Sequence, residues 1–274
     1  MAIAEVKELL EAGVHYGHRT SRWNPKMKPF IFGRRNMIHI IDLRETLRGL
    51  IRAYHFIAKV AAEGKQVLFV GTKRQANLIV RGEAQACGSP FVAERWIGGT
   101  LTNHQTILKQ LDRLLELERL ESSGELQTYS KKMIAAFNRE KRRLLRNLEG
   151  IRTMTELPGA LVVIDPRREN TAVREANKLG IPVVGFLDTD CDPEVVDIPI
   201  PGNDDAIRSI QVVCHKLSQA VLEGKRAAEQ LQAAAESAEK AAASAEQTAP
   251  EGLPKATEGQ VPDPSGEQQV GGTA

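Results

Sequence analysis

The chain has 274 residues, of which 42% are hydrophobic, so it can form one large domain with an appendage or two small domains. No run of about 18 apolar residues occurs and the first residues include acidic ones, so we expect an unexported protein that does not span a membrane. The three cysteines, Cys87, Cys191 and Cys214, lie far apart, which excludes a zinc-finger framework and is typical of the reducing cytoplasm.

The charge is unevenly distributed along the chain. The formal net charge is +2, but residues 1–224 carry +6, because the segment from Lys225 onward contains eight acidic and four basic residues. A basic body favours a polyanionic partner, although an excess of this size also occurs in proteins that bind no nucleic acid. The charge alone is therefore weak evidence for function.

The first hundred residues contain two segments in which a strand is followed by a helix. MIHIID (37–42) reads as a strand, and the stretch from Leu43 to Ala62 reads as a helix that ends at Gly64. QVLFVG (66–71) reads as a buried strand followed by a helix from about Arg74 to Ala86. Such alternation is typical of an α/β fold.

Residues 104–150 have almost no strand signal and contain two leucine-rich, charged helical segments. Apolar residues of the second segment follow seven-residue spacing, with Lys141 as the one departure, and Ser122-Ser123-Gly124 supplies a turn. We therefore predict an antiparallel coiled-coil hairpin that protrudes from the sheet domain.

The second arm of this hairpin is strongly basic. It is either a solvated coiled-coil face or a basic rod that lies along phosphates. Lys141 and Arg152 add to its charge. The candidate RNA-binding residues of this arm are Lys131, Lys132, Arg139, Arg142, Arg143 and Arg146.

The second half predicts a β-α-β unit, in which ALVVID (160–165) and IPVVGFLD (181–188) flank an amphipathic helix closed by Gly180. A proline-marked edge strand, VDIPIPG, and a helix that ends at Gly224 follow. The fold class is thus α/β, with a mainly parallel sheet flanked by helices on both faces. The expected organisation is a sheet domain (1–103 and 151–226), the hairpin insertion (104–150) and an Ala/Glu/Pro-rich tail (227–274), helical at its start and largely disordered.

Two acidic or phosphate-binding patterns invite an enzyme interpretation. Lys73 and Arg74 follow a strand, where a phosphate of a nucleotide or of an RNA backbone could bind, but the G-x-x-x-x-G-K-[ST] spacing is missing, and we favour RNA. Asp188 and Asp190 follow a buried strand, as in metal-dependent phosphotransfer enzymes, but Cys191 stands where that class has Thr or Val. We expect no enzyme, with phosphotransfer as the named alternative and a sheet-domain scaffold that recruits a protein as a third hypothesis.

A metal site is a further hypothesis. His18 could hold zinc or a hard cation together with Asp188 and either Asp204 or Asp205, if the loops that carry them converge. The competing interpretation of Asn203, Asp204 and Asp205 is a helix N-cap cluster.

The segment HRTSRWNPKMKPFIFGRRN (18–36) interleaves basic and aromatic residues, which suits phosphate contacts and base stacking. For Phe30 and Phe32 we favour burial in the sheet domain instead. ERWIGGTLTNHQT (94–106) places Arg95, Trp96 and Asn103 around a double glycine that permits a close approach or a tight turn. The candidate RNA-binding residues of 18–36 are Arg19, Arg22, Trp23, Lys26, Lys28, Arg34 and Arg35.

Together the segments GVHYGH, RWNPKM, RNMIHIIDL, FVGTKRQA, RWIGGTLTN, DTDCDP and IPGNDDAIRSI resemble the bacterial small-subunit ribosomal protein S2 family, in the family's order and across roughly residues 5–224. The resemblance implies a sheet domain with a coiled-coil hairpin, seated on small-subunit (16S-type) ribosomal RNA of the cytoplasmic ribosome near the junction of head and body. It also implies docking of the neighbouring ribosomal protein S1 and a role in translation without a cofactor, a membrane or a small-molecule substrate. Met37 stands where the family often has glycine, and the tail beyond Gly224 matches no pattern.

Overall fold

The computed structural model describes residues 4–246. The chain divides into two units, Met1–Leu231 and Gln232–Ala274, and the described residues of the second unit, 232–246, are helical. The predicted helical start of the tail is therefore present. The remainder of the tail prediction, on residues 247–274, lies outside the described residues.

The secondary structure alternates strands and helices along the chain. The strands are β1 (Tyr16–Arg19), β2 (Ile31–Arg35), β3 (Ile38–Ile41), β4 (Val67–Val70), β5 (Phe91–Val92), β6 (Ala160–Ile164), β7 (Val183–Leu187) and β8 (Ile198–Pro201). The helices are α1 (Val6–Glu11), α2 (Leu43–Ala62), α3 (Asn77–Cys87), α4 (His104–Ser122), α5 (Lys131–Leu148), α6 (Asn170–Leu179) and α7 (Ile207–Glu246). None of the helices in this described part of the chain is long and apolar enough to cross a membrane.

Five strands form a parallel sheet in the order β5-β4-β6-β7-β8. β8 is an edge strand, as its sequence predicts, because Pro199 and Pro201 have no N–H group to donate to a neighbour. The predicted strand MIHIID is present as β3, but it pairs with β1 and β2 in a separate antiparallel sheet of order β1-β3-β2. The sequence therefore predicts this strand without predicting its partners.

Helices cover both faces of the parallel sheet, as predicted. Val162 and Ile164 of β6 lie in a core with buried residues of α2, α3 and α7. Leu161 and Val163 of the same strand lie in a second core with buried residues of α4, α5 and α6. Because successive residues of a strand point to opposite faces, a strand that is apolar throughout must be buried on both.

The predicted helical segments of 104–150 are present as α4 and α5, which contact each other. The departure from the apolar spacing has an electrostatic explanation, because Lys141 is half-buried and pairs with Glu121 of α4. Arg152 pairs with Glu118 in the same way. The coiled-coil packing and the protrusion of the pair stay predictions.

The expectation that Phe32 is buried is wrong, since its side chain is 77% exposed. β2 is an edge strand of the small sheet, and Ile31, the preceding residue, packs against the second core. Side chains alternate along a strand, so Phe32 points away from that core. Phe30 is half-buried and packs against the core, in line with the prediction.

Candidate functional site

Four parallel strands end close to one another and bring charged side chains to one edge of the sheet. Lys73 follows β4, Asp165 follows β6, Asp188 follows β7 and Asp204 follows β8. The carboxyl ends of neighbouring parallel strands meet at the same edge, which is where open α/β sheets place their ligands. We call this group, together with His18 and Asp205, the carboxyl-edge cluster.

Lys73 is committed to carboxylates inside the protein. Its Nζ lies 2.8 Å from Asp204 Oδ1 and 2.6 Å from Asp205 Oδ1. Burial lowers the pKa of Lys73, but the charges and hydrogen bonds of the two aspartates raise it above its ordinary value. Lys73 therefore stays protonated and is held by partners of its own chain.

The backbone N–H of Thr72, the second residue after β4, is occupied as well. Thr72 N donates to Glu169 Oε1 at 3.0 Å, and the Thr72 hydroxyl also contacts that oxygen. Burial raises the pKa of Glu169. A carboxylate of the protein thus lies against the N–H group that a phosphate-binding loop would offer to a nucleotide. Arg74, which follows Lys73 in the chain, is exposed.

His18 joins the small sheet to the parallel sheet. Its Nδ1 lies 2.9 Å from Asp188 Oδ2, and its backbone N–H donates to Asp188 Oδ1 and to the Thr189 hydroxyl. Its Nε2 lies 3.4 Å from Asp205 Oδ2. The hydrogen bond to Asp188 raises the pKa of His18 to about 9, in spite of partial burial. His18 is therefore a cation at neutral pH when no metal competes for it.

The four residues predicted as metal ligands converge. One ligand atom each of His18, Asp188 and Asp204 lies within 4.8 Å of the others, and Asp205 contacts His18. Burial and the charges of Asp165 and Asp188 raise the pKa of Asp204 to about 7. An imidazole nitrogen and two carboxylate oxygens suit zinc.

The aspartates of the phosphotransfer alternative are occupied by other side chains. Asp190 forms an ion pair with Arg167, and Asp188 accepts hydrogen bonds from His18 and Thr189. Burial raises the pKa of the Cys191 thiol beside them. Each of the two carboxylates therefore has a partner within the protein that fixes its position.

The loop that carries RWIGGTLTN is held by one carboxylate. Glu175 of α6 accepts hydrogen bonds from Trp96 Nε1 (3.1 Å), Gly99 N (2.8 Å), Leu101 N (3.0 Å) and Thr102 N (3.2 Å). Burial raises the pKa of Glu175, but these hydrogen bonds outweigh it and hold the pKa below its ordinary value. Trp96 is buried and supports the loop, while Arg95 and Asn103 are exposed at its two ends.

Glu175 was not predicted as a functional residue, although its position in the sequence carries a local signal. The residue lies among the buried apolar positions Ala172, Val173 and Ala176 of α6. A charged residue on the apolar stripe of an amphipathic helix must have a buried partner. Asn203, in contrast, belongs to the predicted helix N-cap cluster. Its Oδ1 accepts hydrogen bonds from the backbone N–H groups of Asp205 and Ala206, as a cap requires.

The segment 18–36 carries exposed cations on and beside the small sheet, and we call this set the basic sheet surface. Its members are exposed and have no carboxylate partner among the side chains that the structure describes: Arg19, Arg22, Lys28, Arg34 and Arg35. Lys26 differs, because it pairs with Asp192 at 2.9 Å and with Glu194. The basic sheet surface therefore has cations available to an external anion.

Trp23 lies beside this surface. Its ring is half-buried and 5.1 Å from the ring of His39, and both line a shallow cavity of about 240 Å³ with Lys28 and Arg34. His39 is buried, and neither of its ring nitrogens has a hydrogen-bond partner in the described part of the chain. An aromatic ring flanked by cations is suited to stacking with an unpaired base.

Helix α5 presents a second set of cations, which we call the basic helix face. All of them are exposed and none has a carboxylate partner within residues 4–246. Lys141 and Arg152 are excluded, since both pair with α4. The members of the basic helix face are Lys131, Lys132, Arg139, Arg142, Arg143 and Arg146.

Comparisons with known proteins agree over most of the chain. The family model for ribosomal protein S2 matches residues 9–224. The small ribosomal subunit protein uS2 of Rhodopirellula baltica is 56% identical over 225 residues, which cover 82% of this chain and 86% of that protein. The small ribosomal subunit protein uS2 of Syntrophobacter fumaroxidans is 51% identical over 232 residues, covering 85% of each. The residues matched by the family model include every candidate side chain described above.

We predict that Glu175→Gln lowers the free energy of unfolding at neutral pH by roughly 2 kcal/mol, because hydrogen bonds to a charged acceptor are lost and an amide N–H₂ faces backbone N–H donors. The folded-state pKa of Glu175 is depressed, so its stabilisation is present above the unfolded-state pKa and is lost as the pH falls through the folded-state value. Denaturant unfolding of both proteins between neutral and acid pH measures this. A difference that stays constant into the acid range would contradict the account.

Proposed function

Because the chain belongs to the ribosomal protein S2 family, we propose that it binds small-subunit ribosomal RNA through the basic sheet surface and the basic helix face. As a member of that family it is a structural component of the small ribosomal subunit, serves translation and is not an enzyme. Its partners are ribosomal RNA and other ribosomal proteins.

One observation carries the RNA proposal. The basic residues fall into two groups, those held by carboxylates of the protein, such as Lys26, Lys73 and Lys141, and those without such a partner among the described side chains. Eleven members of the second group form the two basic surfaces, five on the basic sheet surface and six on the basic helix face. A cation that is exposed and unpaired can bind a phosphate without giving up an internal ion pair, and each phosphate neutralised in this way releases counterions from the RNA.

Protein S1 is proposed as a neighbour that docks on the small sheet. Phe32 in β2 and Met37 in the turn between β2 and β3 are large apolar side chains exposed on one hairpin. Such side chains are the usual anchors of a protein interface. Small subunits that contain Phe32→Ser should retain this protein but co-purify with less S1, and unchanged S1 would contradict the docking site.

The structural role of the family requires no cofactor, and we propose separately that the carboxyl-edge cluster binds zinc through His18, Asp188 and Asp204. The support is the convergence of an imidazole and two buried carboxylates. The ion would join the small sheet to the parallel sheet and would serve stability rather than chemistry.

For the RNA proposal, we predict that replacing Lys131, Lys132, Arg139, Arg142 and Arg146 with glutamine weakens rebinding to small subunits depleted of this protein. The logarithmic salt slope should become shallower by ~0.7 for each phosphate that the variant no longer neutralises. The control is the double variant Lys141→Gln, Arg152→Gln, which removes two basic residues that pair with carboxylates within the protein. Sedimentation at several salt concentrations measures the rebinding of both variants. An equal logarithmic salt slope for the wild type and the five-residue variant would refute RNA binding by the basic helix face.

For the metal proposal, we predict that zinc chloride raises the thermal unfolding temperature of the wild type, because an ion that binds only the folded state stabilises it. Asp204→Asn and Asp188→Asn should abolish this rise. Asp190→Asn is the control, since Asp190 pairs with Arg167 outside the proposed ligand set. A zinc-induced rise in Asp204→Asn equal to that of the wild type would contradict the proposal.

A further inference from the structure

A groove of about 560 Å³ lies where α4 and α5 meet the loop that follows β5. We call it the loop–helix groove. Its volume falls within the range of sites that bind a single small ligand, roughly 300–1,000 Å³, so it cannot enclose a nucleic-acid duplex. The polar residues that matter for its chemistry are Arg95, Lys109, Arg113, Glu140, Arg143 and Asn147.

The charge of the groove favours an anion. Arg113 is paired with Glu116 at 2.7 Å and with Glu140 at 3.4 Å, so the one carboxylate that lines the groove already has a cationic partner. The other three cations, Arg95, Lys109 and Arg143, are exposed and have no carboxylate partner among the described side chains. Three positive charges are therefore left for a ligand.

One wall of the groove is held in place. Glu175 accepts hydrogen bonds from Trp96, Gly99, Leu101 and Thr102, which fixes the loop that carries Arg95 and Gly98. At Gly98 a Cβ atom would meet nothing within 4 Å, so the groove is open to solvent at this point. A fixed wall reduces the entropy that binding must overcome.

We propose that the loop–helix groove binds one nucleotide of a single-stranded segment of ribosomal RNA. Its phosphate contacts Arg95, Lys109 and Arg143. This rests on the proposed RNA-binding function and identifies where one unpaired nucleotide is held. RNA is favoured over an acidic protein segment because Arg143 belongs both to the groove and to the basic helix face, so one strand can bind both.

The test compares two full-length variants that lose the same charge. Arg95, Lys109 and Arg143 are replaced with glutamine in one, and Arg44, Arg52 and Lys59 in the other; the control residues are exposed on α2, which packs on the opposite face of the parallel sheet. Rebinding to depleted small subunits is measured by sedimentation across a salt series. Removal of the cations that neutralise this one phosphate should make the logarithmic slope of the groove variant shallower by ~0.7 and leave that of the control unchanged.

Two outcomes would contradict nucleotide binding in the groove without contradicting the proposed function. In one, the groove variant has the wild-type salt slope; in the other, the salt slopes of both variants change equally. Failure of the wild type to show any salt-dependent binding would instead refute the RNA proposal itself.

A photo-crosslink identifies the class of occupant. Thr106 is exposed and lines the groove, so p-benzoylphenylalanine placed there should crosslink to ribosomal RNA in reconstituted small subunits. A crosslink to a ribosomal protein and none to RNA would show that an acidic protein segment occupies the groove, and would overturn the proposal.

Discussion

Buried carboxylates must find cationic or N–H partners, and this requirement holds the loops of the protein onto its parallel sheet. Asp188 and Asp204 are each 1% exposed, Glu169 is 4% exposed and Glu175 is 8% exposed. Leaving such a charge unpaired costs several kcal/mol. Their partners come from distant parts of the chain: His18 from the small sheet, Lys73 and Thr72 from the loop after β4, and the backbone of 96–102 from the loop before α4.

The same requirement separates the basic residues by role. Lys26, Lys73 and Lys141 neutralise carboxylates of the protein, whereas the cations of the basic sheet surface and the basic helix face have no such partner among the described side chains. The internal pairs fix the loops and helices, and the unpaired cations supply the charge for an external polyanion. A chain with a net charge of only +2 can therefore still present strongly basic surfaces.

The elements that depend on local pattern could be predicted from the sequence. β6 and β7 are continuous apolar runs, and α2 has the bounds that its sequence indicates, Leu43–Ala62. What could not be predicted depends on partners far away in the chain. β3 has a strand pattern, but nothing in that pattern specifies a separate sheet. Phe32 is exposed because its strand lies at the edge of that sheet. Lys73 has the sequence position of a phosphate ligand, but it pairs with Asp204, which is 131 residues away in the chain. The family motifs identified the chain without identifying its contacts.

The most direct test of the account is acetylation of lysines in the free protein and in assembled small subunits, quantified by mass spectrometry. Lys28, Lys109, Lys131 and Lys132 are exposed on the proposed RNA-binding surfaces, whereas Lys59 on α2 and Lys178 on α6 are exposed elsewhere. The account predicts that the first four are protected in the subunit and that the other two keep most of their reactivity. Equal reactivity of all six in both states would contradict it.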